Sequence, residues 1–222
     1  MTRFAQFFAL SFSALFPVIN PIGSALMFLG IVGVTDARVY KTLARKIAVS
    51  TALFLLLIDA GGATVLKLFG ISLPVVQLAG GLVLAAMGWS LLNQKDAAGA
   101  HDPSPKVPDT ASLQGKIFYP LTFPLTAGPA TLVVMLTLSA HASRGKLLHI
   151  VVAQAGVVTG MLLMCITVFI AYAWAPRITA KVSPSTAHGI LRVIAFVLLC
   201  IGVQIAWNGL SSLLSTLNTG VG

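Results

Sequence analysis

No glutamate occurs in this 222-residue chain, and its five acids are all aspartates. Without a supply of clustered carboxylates, Ca²⁺ loops and di-metal centres cannot be assembled. Charge of either sign is scarce: 9% of residues are charged, against roughly a quarter in an ordinary soluble domain. With 57% of residues hydrophobic, a soluble fold is excluded. The two cysteines, Cys165 and Cys200, lie in apolar stretches with no second Cys or His at ligand spacing, which excludes a disulfide framework and a zinc site. His101, His141, His149 and His188 fall in loops or span ends without an HExxH or similar spacing, and they read as solvated or interfacial. The formal net charge of +9 would suggest nucleic acid only if the bases gathered on one face. They lie between long apolar runs instead, so the expected partner is a lipid bilayer and not nucleic acid.

Those runs are what the sequence has in abundance. Uncharged stretches cover 4–35, 68–94, 117–143, 147–176 and 193–222, and 47–66 is interrupted by Asp59 alone. Crossing ~30 Å of hydrocarbon takes about 20 helical residues, and each stretch is long enough. The runs are continuous, whereas a barrel would show alternating segments of ~10 residues. The expected fold is an all-α membrane protein with six transmembrane helices. Arg3 followed by apolar residues imitates a signal peptide, but the apolar character continues to Val34, so this segment is expected to be retained as the first span.

Prolines at 103, 105 and 108 and low apolar content make 94–115 a polar linker. It divides a first three-helix repeat, 1–93, from a second, 116–222, within one membrane domain. Nine Lys and Arg fall in one set of alternate loops and four in the other, which by the positive-inside rule puts both termini on the outer side of the membrane. Phe16-Pro17-Val18-Ile19-Asn20-Pro21 returns as Phe123-Pro124-Leu125-Thr126-Ala127-Gly128-Pro129, one residue longer. Three spans per copy is an odd number, so the copies run in opposite directions. A 3+3 inverted repeat with broken helices 1 and 4 is expected, as in many secondary transporters.

Each proline in a span removes an N–H and strands a carbonyl, which hydrocarbon tolerates only inside protein or along a wet cavity. Asn20 before Pro21, and Gly128 before Pro129, are suitable N-cap and N1 pairs. Two half-helix N-termini would then offer backbone N–H groups to an anion without a buried base. The candidate substrate site comprises Asn20, Pro21, Gly23, Ser24, Thr126, Ala127, Gly128 and Thr131. Its residues are small or carry neutral oxygens suited to an ammonium, so a zwitterionic amino acid fits. The alternative is that both breaks are packing kinks, since proline and glycine are common in membrane helices.

Asp59, the one acid within an apolar span, is the candidate for coupling to Na⁺ or H⁺; alternatively it faces water or caps local packing. Gln77, Gln204 and Asn208 are possible pathway residues, with interhelical hydrogen bonding as the competing role. Gln154 has the same two readings. Gly81 with Ala85 and Gly156 with Gly160 are spaced four apart, as close helix packing requires.

The segments Leu15–Gly23, Phe69-Gly70-Ile71-Ser72-Leu73 with Ala79-Gly80-Gly81, and Pro120–Pro129 together resemble the MarC family of bacterial inner-membrane proteins. The resemblance spans nearly the whole chain. It implies a transporter of small neutral amino acids, glycine and alanine in particular. One departure is Gln77, where relatives tend to have an arginine. The reading that follows is a secondary transporter of the glycine and alanine class, not an enzyme, with no resident cofactor. An exporter of larger amphipathic compounds, or a membrane scaffold without transport, are the alternatives.

Overall fold

Asn20 both ends the first helix and begins the second. Helix α1 (Arg3–Ile19) stops where Asn20 adopts φ 47°, ψ 68°, a left-handed conformation that asparagine tolerates better than most side chains. Helix α2 (Pro21–Val32) then starts with proline in its first turn, where its missing N–H costs nothing. The computed structural model describes residues 2–33, 35–93, 115–177 and 184–219, so the expected linker lies outside the described residues except for Gly115.

Gly33, at φ 68°, closes α2, and the Tyr40 hydroxyl donates to its carbonyl. Tyr40 belongs to α3 (Ala37–Leu68), a 32-residue helix. A turn through Gly70 leads into α4 (Leu73–Leu92). The next segment, α5 (Ile117–Thr126), is wound more widely than an α-helix. Its bonds run from Leu121 N to the Lys116 carbonyl at 3.2 Å and from Ala127 N to the Thr122 carbonyl at 2.8 Å, spanning five residues. The carbonyl of Lys116, which Pro120 would strand in an α-helix, is thereby recovered; it is not free as proline arithmetic alone suggests. Tyr119 and Phe123 are extended, as a residue preceding proline prefers, and the Tyr119–Pro120 and Phe123–Pro124 peptide bonds are cis. Helices α6 (Pro129–Ala142), α7 (Leu147–Ala173) and α8 (Pro184–Thr219) complete the chain.

Among the described residues the secondary structure is helical, without a strand. Five stretches are long and apolar enough to cross a membrane, namely Arg3–Val32, Ala37–Leu68, Leu73–Leu92, Leu147–Ala173 and Gly189–Ser215. The pair α5 and α6, bent by 66°, supplies a sixth if counted as one span. Leu57 is 70% exposed and Leu147 78%; many such apolar side chains on outer faces suit lipid and not water.

Lipid supplies no hydrophobic drive between helices, so close packing and small residues must hold the bundle. α4 runs along α8, and a Cβ on Gly81 would come within 2.6 Å of the Gly202 carbonyl. α1 lies along α7, where a Cβ on Gly156 or Gly160 would come within 2.6 Å of the Phe4 or Phe8 carbonyl. Both expected small-residue contacts are therefore present. α3 packs on α5, α6 and α7, while α6 also touches α1 and α4, and α1 touches α8.

The two ends of the bundle are pinned by polar contacts. Arg3 donates to the Arg144 carbonyl at 2.7 Å, placing the start of α1 beside the α6–α7 turn. At the other end Lys41 lies over the Trp174 ring. Gly209 of α8 faces Pro74 and Leu78 at the start of α4, whereas Gly88 faces Ala195 and Leu199. This antiparallel pairing returns the end of α8 to the same side as Arg3.

Candidate functional site

The first break is built by a single side chain. Asn20 Oδ1 accepts from Gly23 N at 3.1 Å, and the Asn20 carbonyl accepts from Ser24 N at 2.9 Å and from the Ser24 hydroxyl at 2.8 Å. The expected cap exists, and it uses the amide oxygen that the sequence offered to a ligand ammonium. A Cβ on residue 23 would lie 2.9 Å from Asn20 Cγ, so glycine there is a condition of the cap. Pro21 and Ser24 are buried, and Asn20 and Gly23 are half-buried. Gly23 and Ser24 N–H are thus occupied; Ile22 N–H is the early donor of α2 that the Asn20 cap does not take.

At the second break Gly128 is extended and Pro129 opens α6. Thr131 N donates back to the Gly128 carbonyl at 3.0 Å. Ala127 is fully buried, as is Thr131 to within 1%. Thr126 donates its hydroxyl to the Leu121 carbonyl at 2.6 Å and stands 2.9 Å from the Tyr172 hydroxyl. With the threonine proton committed, the tyrosine proton is the one that fills this contact.

Tyr172, from α7, joins the two breaks. Its hydroxyl also reaches Ser24 in the first turn of α2, and its fully buried ring stacks on Phe28 at 4.6 Å. Hydrogen bonds therefore run from Tyr172 through Thr126 to the Leu121 carbonyl and from Ser24 to the Asn20 carbonyl, with Tyr172 beside Ser24 where the two meet. Tyr172 is the residue that sequence reading missed. Its signal was a lone phenol in a long apolar run, because a buried tyrosine hydroxyl demands a partner.

Asp59 lies apart from the breaks, at a junction of α3, α6 and α7. Gln154 Nε2 donates to Asp59 Oδ2, and Ser139 Oγ donates to the Asp59 carbonyl at 3.2 Å. Asp59 Oδ1 and Gln154 Oε1 are buried without a hydrogen-bond partner. Gln77 is buried and reaches Thr137 Oγ1 of α6 at 3.4 Å, which is the interhelical role. Gln204 bonds Asn208 along α8 at 2.9 Å and is exposed. A groove of about 470 Å³ opens beside Arg45, Lys46, Val49, Ser50, Leu53 and Ile117; none of these residues belongs to either break. Among the described residues no three His, Cys, Asp or Glu side chains gather as a metal cluster.

The model of the MarC family, described as integral membrane proteins, matches residues 5–214. The chain belongs to the MarC family. The similarity to curated MarC-family relatives runs nearly end to end. It is 27% identical to the membrane protein YvbG of Bacillus subtilis, over 94% of this chain and 96% of that protein. It is 26% identical to the inner membrane protein MarC of Escherichia coli, over 91% of this chain and 93% of that one, and equally to MarC of Shigella flexneri. No solved structure matches. Membership makes this an integral membrane protein, in agreement with its apolar helices, and the breaks at Asn20 and Gly128 both fall inside the matched region.

Proposed function

We propose that this MarC-family protein is a secondary transporter of small neutral amino acids, glycine and alanine above all, in a bacterial inner membrane. The observation that carries the reading is the convergence of both helix breaks on Tyr172. Each break starts a helix with proline, and each is surrounded by Gly, Ala, Ser and Thr. The substrate carboxylate is assigned to the starts of α2 and α6, where Ile22 and Ala130 present early N–H groups and the helix dipoles favour an anion. Ser24, Thr126 and Thr131 line the same region and leave little room for a side chain larger than methyl. The protein acts without catalysis and without a resident cofactor in this reading.

Alternating access is assigned to a 3+3 inverted repeat, 1–93 against 116–222. Under the exchange of spans 1, 2 and 3 with 4, 5 and 6, the contact of α1 with α7 becomes that of α5 and α6 with α3. The contact of α4 with α6 becomes that of α8 with α1. Both members of each pair occur, and α4 with α8 and α3 with α7 map onto themselves. This pattern supports rocking of one repeat against the other around a central site. Both termini are assigned to the periplasm from the basic loops.

The test is uptake of labelled alanine and glycine into proteoliposomes, with Na⁺ and proton gradients imposed separately. Saturable uptake that is competed by small neutral amino acids is expected. Absence of binding and uptake for every small neutral amino acid overturns the reading.

A further inference from the structure

Half of the Asp59–Gln154 contact is unused. Gln154 Nε2 serves Asp59 Oδ2, while Asp59 Oδ1 and Gln154 Oε1, both acceptors, are buried with no donor. Ser139 Oγ spends its proton on the Asp59 carbonyl, which leaves the oxygen lone pairs of that hydroxyl available. A buried carboxylate oxygen with no donor is expensive in apolar surroundings. A positive partner would relieve that cost.

Fixed side chains do not supply it. No Lys or Arg occurs in 47–66, 117–143 or 147–176, the parts of α3, α6 and α7 that enclose the junction. Lys67 lies eight residues farther along α3, ~12 Å by helical rise. Arg3 on α1 directs Nη2 to the Arg144 carbonyl and lies over the Phe7 ring, and its buried Nε makes no hydrogen bond to Asp59. Side-chain oxygens from three helices thus meet at the Asp59 junction, two of them buried acceptors without a donor.

We infer that Asp59 Oδ1, Gln154 Oε1 and Ser139 Oγ hold a small monovalent cation, Na⁺, between α3, α6 and α7. Hard oxygen ligands suit such an ion, and one carboxylate balances one positive charge. A divalent ion would leave net charge in an apolar site and normally recruits further carboxylates. The site lies toward the end of the bundle that carries Arg3 and Arg144, seven residues into α7 or ~10 Å from its start. It is separate from the helix breaks, yet α6 carries both Pro129 and Ser139. Ordering the Ser139 end of α6 by the ion therefore bears on the helix whose start lines the substrate region. Only that consequence rests on the transport reading; binding of the ion does not.

Radiolabelled Na⁺ binding to the purified full-length protein in nanodiscs, with no amino acid present, tests the site. Saturable binding that resists excess choline is expected. Asp59→Asn should abolish it, and Gln154→Leu and Ser139→Ala should each weaken it at least about tenfold. Asp36→Asn, at the exposed start of α3, should leave it unchanged. Absence of saturable binding to the native protein, or native-like binding in Asp59→Asn, overturns the site. Should Asp59→Asn fail to fold, native affinity in both Gln154→Leu and Ser139→Ala overturns it equally. Intact Na⁺ binding with no amino acid uptake would sink the transport reading alone, and the reverse result would sink the cation site alone.

Discussion

The hydroxyls of Tyr172 and Thr126 stand 2.9 Å apart in a fully buried contact between α7 and the end of α5. The Tyr172 hydroxyl reaches Ser24 of α2 as well, so one phenol spans two breaks separated by more than a hundred residues. Removing a buried hydrogen-bonding group leaves its partners unsatisfied, and the cost is that of their desolvation. Tyr172→Phe retains the stack on Phe28 and loses only the hydroxyl. Its destabilisation should be about 1 to 3 kcal/mol, and alanine binding should fall by about tenfold. Calorimetric binding and melting in detergent check both values; unchanged binding would remove Tyr172 from the site.

Asn20 is held in the left-handed region by its own cap. Asn20→Gly keeps that backbone available and should cost only a few tenths of a kcal/mol, whereas Asn20→Ala should cost about 1 kcal/mol. Asn20→Leu adds bulk beside Gly23 and should weaken alanine binding at least about tenfold. Gly128→Leu should do the same from the other break, where a Cβ would stand 3.0 Å from the Pro124 carbonyl. An amine analogue of alanine lacking the carboxylate should bind poorly to the native protein. Normal alanine binding in both leucine variants, or full competition by the amine, would make the breaks packing kinks.

Glycines in this bundle divide by what a methyl group would meet. A Cβ on Gly81 would overlap the backbone of α8, but one on Gly61 meets nothing within 4 Å. Gly81→Ala should therefore destabilise by about 1 to 3 kcal/mol, as overpacking does. Gly61→Ala should be neutral or stabilising by about 0.4 to 1 kcal/mol, because it restricts the unfolded chain. Melting of the two variants in the same detergent gives the comparison. Equal melting would mean that α4 and α8 do not pack as closely as described.

Arg3 and the last described turns of α8 lie at one end of the bundle. Single cysteines at Thr2 and Thr219, in a background lacking Cys200, should both react with an impermeant thiol reagent in intact spheroplasts. Protection of both, with labelling only after lysis, would reverse the proposed orientation. Labelling of one alone would contradict the even number of crossings.

Hydropathy determined by itself that this chain is helical and belongs in a membrane, because a continuous apolar run of ~20 residues has few other stable fates. Local chemistry likewise determined where helices begin: Asn20 with Pro21 and Gly128 with Pro129 act as the caps their types require, whatever lies around them. Tertiary structure decided what those caps face. The wide winding of α5 recovers the Lys116 carbonyl, the Asn20 amide is spent on Gly23, and the hydroxyl of Thr126 is enclosed by Tyr172. None of this can be read from spacing, since a hydrogen bond between Thr126 and Tyr172 depends on the placement of two helices and not on their sequence separation. Asp59 shows the same division. Its isolation in an apolar run marked it as unusual, but only the packing of α3 against α6 and α7 set Gln154 and Ser139 beside it. Long-range polar contacts are decided by which helix faces meet, and in lipid those faces are selected by glycine and alanine shapes that hydropathy does not register.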